Sequence, residues 1–138
     1  MVVTSEAFRS TVDMLLARTL SARADGDQEA RIGREVGALP LGPDLDSAVF
    51  LRPDGTCVFV DQRTNEVEYQ RSQRILVGLL VAGSARYEEL AAFIPARPPG
   101  APDCAVCAAT GVGSYPSSEG RCLQCCGLGW DLDFPVVF

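Results

Sequence analysis

Lysine and histidine are both missing from this 138-residue chain. Without histidine there is no histidine-based catalytic triad, no imidazole metal ligand and no usual neutral-pH general base. Without lysine the positive charge rests on 12 arginines, against 18 acidic residues, for a net charge of −6. So acidic a chain lacks the basic footprint of a nucleic-acid binder. Long apolar runs are missing too: the longest, Ile75 to Ala82 with Gly78 inside it, is far short of a membrane span. No basic leader is expected, because Met1-Val2-Val3-Thr4-Ser5 reaches acidic Glu6 at once. These absences predict a cytoplasmic protein that meets neither nucleic acid nor membrane. Its surroundings would be reducing, where paired cysteines favour metal over disulfide.

What is present is a hydrophobic fraction of 47%, enough for a packed core, and six cysteines. Four of the six form two Cys-x-x-Cys pairs, Cys104/Cys107 and Cys122/Cys125, with fourteen residues between them. One tetrahedral ion needs four soft ligands at about 2.3 Å, and two such turns brought together supply them. The spacing therefore predicts one structural Zn2+ held by Cys104, Cys107, Cys122 and Cys125.

Upstream, the pattern predicts an α+β core over 1–95. Ser5 caps a helix from Glu6 to about Leu20, with Phe8, Val12, Leu15, Leu16 and Leu20 along one face. Residues 22–27 read as a loop and Gln28 to Val36 as a short helix. Gly37, Pro40 and Gly42-Pro43-Asp44 read as stops and turns. Ala48–Leu51 and Cys57–Val60 flank Pro53-Asp54-Gly55, a turn in which proline presets φ and glycine accepts positive φ. Both strands are apolar on both faces, as central strands are. Glu66–Gln70 alternates, as an edge strand with one wet face does, completing a three-stranded antiparallel meander. Helices follow at 72–83 and 86–94, and Pro95 ends the second. Cys57, inside the middle strand, reads as a small buried hydrophobe.

Residues 96–103 are a proline-rich connector. It leads into a metal module at 104–138 that is expected to dock on the helical core. The second half-site, Cys122-Leu123-Gln124-Cys125-Cys126-Gly127-Leu128-Gly129, reads Cys-x-x-Cys-x-Gly-x-Gly. The first, Cys104 to Gly111, has Ala109 in place of the first glycine. Over 104–130 the chain resembles the cysteine-rich zinc-binding repeats of DnaJ-type chaperones. That resemblance implies zinc and a knuckle geometry, not chaperone activity. The glycines would let the chain turn so that backbone N–H groups reach the sulfurs. Ala109 would demand ordinary φ, so the first knuckle is expected to turn differently, with the Thr110 hydroxyl available there. Cys126 reads as a spare buried thiol pointing away from the four, or as a ligand that swaps with Cys125. Residues 113–120, with Tyr115, read as a polar loop. The apolar tail Trp130–Phe138 reads as a strand packed on the chain, or as a strand offered to a partner.

Zinc with four thiolates has no open position for water, so the site is structural. Asp44, Asp46, Asp54 and Asp61 sit in turns, where aspartate is ordinary, and no acid, base and nucleophile converge. The reading is a non-enzymatic zinc-binding protein acting in contact with another protein. A small bacterial accessory or immunity-type protein with a single partner is one form of it. The alternative is a thiol–disulfide oxidoreductase or redox sensor using the Cys-x-x-Cys pairs. Catalytic pairs normally open a helix, and these have proline- and glycine-rich flanks.

Overall fold

The computed structural model describes residues 2–44, 46–113 and 122–138. Helix α1 spans Glu6–Ala22, and the Ser5 side chain accepts the Phe8 N–H at its start. Helix α2 spans Gln28–Val36, capped by Asp27 accepting from Ala30 N–H and closed by Gly37 at φ +62°. Both N-caps satisfy amides that a helix leaves unpaired.

The sheet has four strands, one more than the hydropathy pattern predicts. These are β1 (Leu39–Asp44), β2 (Ser47–Leu51), β3 (Cys57–Asp61) and β4 (Val67–Gln70), antiparallel and in that spatial order. Strand β1 carries Pro40, Gly42 and Pro43, which read as turn residues in isolation. It lies at the sheet edge, where proline is tolerated, and a bulge between Pro40 and Gly42 shifts its register. Strands β2 and β3 are central, as their two apolar faces require, and Leu51 pairs with Cys57.

Helix α3 spans Gln73–Gly83 with Ser72 as its N-cap. The segment expected as a third long helix is a 3-10 helix over Glu88–Phe93, without a side-chain cap. It is tied to β1 by the Tyr87 hydroxyl, which donates to Pro40 O at 2.7 Å.

The two faces of the sheet are covered differently. One packs Phe50, Val58 and Val60 against Val36 and Ile32 of α2. The other packs Leu51 and Cys57 against Phe8, Val12 and Leu15 of α1 and Leu76, Val77 and Leu80 of α3. This second core continues without a break to Cys104, Cys107, Cys122, Cys125, Trp130, Leu132 and Phe138. Full burial of one large apolar side chain contributes roughly 1.5–3 kcal/mol, so the contacts linking the cysteines to the helices are substantial. Phe8 meets Phe93 edge-on, at 5.2 Å between ring centroids.

The tail packs on the chain itself, though as an irregular segment and not as a strand. Phe138 N–H donates to Val3 O, and Phe138 O accepts from Ser5 N–H. Gln73 of α3 grips the tail through three bonds. Its Nε2 donates to Leu132 O and Phe134 O, each at 2.6 Å, and its Oε1 accepts from Val136 N–H at 3.1 Å.

Candidate metal centre

Each Cys-x-x-Cys pair sits in a tight turn, and the two turns repeat each other atom for atom. Ala109 N–H donates to Cys104 O at 3.3 Å, and Gly127 N–H to Cys122 O at 3.2 Å. Thr110 N–H donates to Cys107 O, and Leu128 N–H to Cys125 O. The halves then cross-link reciprocally. Cys122 N–H donates to Gly111 O at 2.8 Å, and Cys104 N–H to Gly129 O at 3.1 Å. Asp103 forms a bridge with Trp130, and Asp131 N–H donates to Pro102 O, closing the base of the module.

This brings together the four cysteines that the spacing singles out. Their sulfurs all lie within 4.8 Å of one another, and all four residues are buried. Cys107 and Cys125 Sγ are 3.6 Å apart, Cys104 and Cys122 Sγ 4.0 Å. Sulfurs held about 2.3 Å from one tetrahedral centre stand about 3.8 Å apart, so the residues fit a single ion. No disulfide joins any cysteine among the described residues.

Backbone amides support the sulfurs as the glycine pattern requires. Gly111 N–H donates to Cys107 Sγ at 3.3 Å, and Gly129 N–H to Cys125 Sγ at 3.2 Å. Such contacts stabilise negative charge on sulfur and orient it. The Thr110 hydroxyl does not join them: it donates to Cys107 O at 2.7 Å.

The expectation that Ala109 turns the first knuckle differently is wrong. Ala108 and Ala109 have φ +51° and +66°, and their counterparts Cys126 and Gly127 have +54° and +83°. The sulfur–amide bond to Gly111 demands this path, and Ala109 adopts it at a cost of about 1–2 kcal/mol. The constant offset between the two half-sites was the signal: two turns that must meet as equals share one backbone path.

The thiols of Cys107 and Cys125 are shifted in opposite directions. Burial pushes the Cys107 thiol up, but the Gly111 amide and the thiols of Cys125, Cys104 and Cys122 outweigh it and hold it at about 7. Cys125 goes the other way, to about 12, because burial and its sulfur neighbours outweigh the Gly129 amide. Sulfur binds an ion as thiolate, so an ion that takes all four must displace the protons they hold.

Cys126 lies outside the quartet and is half-buried, not fully buried as expected, because its side chain faces the mouth of a groove. Its thiol faces α3 at Gly78, where a Cβ would stand 3.2 Å from Sγ. It lines a groove of about 450 Å³ with Phe59, Ile75 and Leu79. Cys57 is fully buried, its Sγ 3.7 Å from Gly55 O, and burial, reinforced by Asp54, pushes its thiol up to about 12. Residues 114–121, with Tyr115 and Arg121, lie outside the described residues.

No known protein family, curated protein or solved structure matches the chain.

Proposed function

We propose that the chain is a non-enzymatic protein whose Cys104, Cys107, Cys122 and Cys125 hold one structural zinc ion, and that the knuckles so formed meet another protein. The observation that carries this reading is the buried four-sulfur cluster with an amide on one sulfur of each pair. A tetrahedral set of four sulfurs suits zinc or iron. The resemblance of 104–130 to the zinc-binding repeats of DnaJ-type chaperones favours zinc. Four thiolates around zinc leave no position for water, so the ion serves folding, where such sites contribute about 10–16 kcal/mol.

Contact with a partner is supported by the side chains the knuckles present. Val106 and Leu123, inside the two Cys-x-x-Cys turns, are 71% and 55% exposed, and Val112 is 65% exposed. Exposed apolar side chains mark an interaction surface where they form one contiguous patch, which is the arrangement this reading requires of the three. Against the redox alternative, each pair is followed by a left-handed turn and not by a helix whose terminus would stabilise a thiolate.

Native mass spectrometry beside a denatured mass and a thiol count tests this. One zinc per chain, lost together with protection of four thiols, is expected. Iron, or a metal-free chain with disulfides among the four, overturns the reading. Chelation is expected to strip order from 104–113 and 122–130 and to leave the secondary structure of 1–95.

A further inference from the structure

Strand β4 presents a bare edge. Among the described residues its only neighbour in the sheet is β3. Asp61 N–H donates to Glu66 O, and the register then runs Val60 to Val67, Phe59 to Glu68, Val58 to Tyr69 and Cys57 to Gln70. In an antiparallel ladder bonded and non-bonded pairs alternate. Glu66, Glu68 and Gln70 therefore bond inward, and the N–H and C=O of Val67 and Tyr69 point away from the sheet.

The side chains add chemistry to that edge. Val67 and Tyr69 lie on the same face as buried Val58 and Val60, yet are 43% and 52% exposed. The Arg52 guanidinium lies 5.1 Å from the Tyr69 ring centroid, which steadies the ring. On the other face Glu66 and Glu68 carry charge, and neither enters an ion pair among the described residues. Glu68 only accepts from Gln70 Nε2. The arginines nearby are committed elsewhere: Arg71 to Asp54 and Arg63 to Asp46, while Arg52 donates to Val36 O.

We infer that this edge takes an extended segment of a partner protein in which basic and apolar side chains alternate. Main-chain bonds would form to Val67 and Tyr69, apolar side chains would extend the face of Val67 and Tyr69, and basic ones would meet Glu66 and Glu68. A second copy of the chain fits poorly. Antiparallel pairing of β4 about its own centre sets Glu68 against Glu68, and like charges directly opposite are destabilising. The inference uses none of the four clustered sulfurs, so it stands whether or not the ion is zinc.

The test uses the full chain and two capped heptapeptides, one alternating lysine with valine and one glutamate with valine. The lysine peptide is expected to bind, to shift the amide resonances of Val67 and Tyr69, and to exceed the glutamate peptide by about tenfold. Glu68→Lys is expected to reverse that order. Val67→Pro removes an outward N–H and no ladder bond, and should weaken the lysine peptide by about tenfold with the circular dichroism unchanged. If that variant fails to fold, Glu68→Lys decides. Equal binding of both peptides, binding of neither, or shifts confined to other residues overturns the inference. So does a homodimer that Val67→Pro dissolves.

Discussion

A Cβ at Gly111 would stand 2.5 Å from Gly127 O, the carbonyl of the opposite knuckle. Gly111 also has φ +71° and donates its N–H to Cys107 Sγ. Gly111→Ala should therefore force the two turns apart. Gly100→Ala is the control, because Gly100 has φ +81° and nothing within 4 Å of a Cβ. The control carries the backbone cost alone, about 1–2 kcal/mol. Gly111→Ala should lose at least about twice that and bind zinc more weakly in a chelator competition. Equal losses would show that the close approach is unimportant.

Ala109→Gly should stabilise the protein. The substitution removes the strain of φ +66° and adds freedom to the unfolded chain, effects of about 1–2 and about 0.4–1 kcal/mol in opposite directions. A net gain of about 0.5–1 kcal/mol should appear in denaturant unfolding of the metal-loaded protein. A loss would mean that the alanine methyl makes contacts worth more than the strain.

Cys57 predicts an alkaline weakness. Its thiol is raised from 9.0 to about 12 in the fold, so the folded state holds a proton that the unfolded state releases between those values. The stabilisation is complete below pH 9 and is lost as pH rises through that window, by at most about 1.4 kcal/mol per pH unit. Cys57→Ala lowers stability at pH 7 by leaving a small cavity. Its stability should then fall less steeply than wild type from pH 9 upward. Parallel curves for the two proteins would refute the assignment.

Gln73→Ala should release the tail. Its three bonds to Leu132, Phe134 and Val136 contribute about 0.5–1.5 kcal/mol each. Exchange of the Val136 amide should accelerate by one to two orders of magnitude, while the metal content stays at wild-type level. Unchanged protection would assign the anchoring to the packing of Phe138.

Much of this was legible because local and global demands agree. Ser5 and Ser72 begin helices in sequence and in space, since each precedes an apolar repeat and reaches an amide three residues on. The Cys-x-x-Cys spacing located the quartet because coordination geometry leaves few alternatives. Elsewhere tertiary context overruled the local signal. Pro40 and Pro43 sit in a strand because that strand is an edge, which no window of sequence reports. Residues 86–94 wind more tightly than their apolar spacing implies. Val67 and Tyr69 alternate like a half-buried strand, yet the cluster under α2 takes in Ala48, Phe50, Val58 and Val60 and stops short of them. Ala109 takes a path that glycine would take more cheaply, because Gly111 must reach Cys107.

The reciprocal bonding of the knuckles also bears on synthesis. Cys104 is held by the carbonyl of Gly129, and Cys122 by that of Gly111. A ribosome adding about 5–20 residues per second delivers the first pair roughly one to four seconds before the second. During that interval Cys104 and Cys107 are a dithiol with half a scaffold. They can hold an ion only loosely, and arrival of the second half completes the four-sulfur set. Closure of the site therefore waits on synthesis of the second knuckle, whatever metal is at hand when the first emerges.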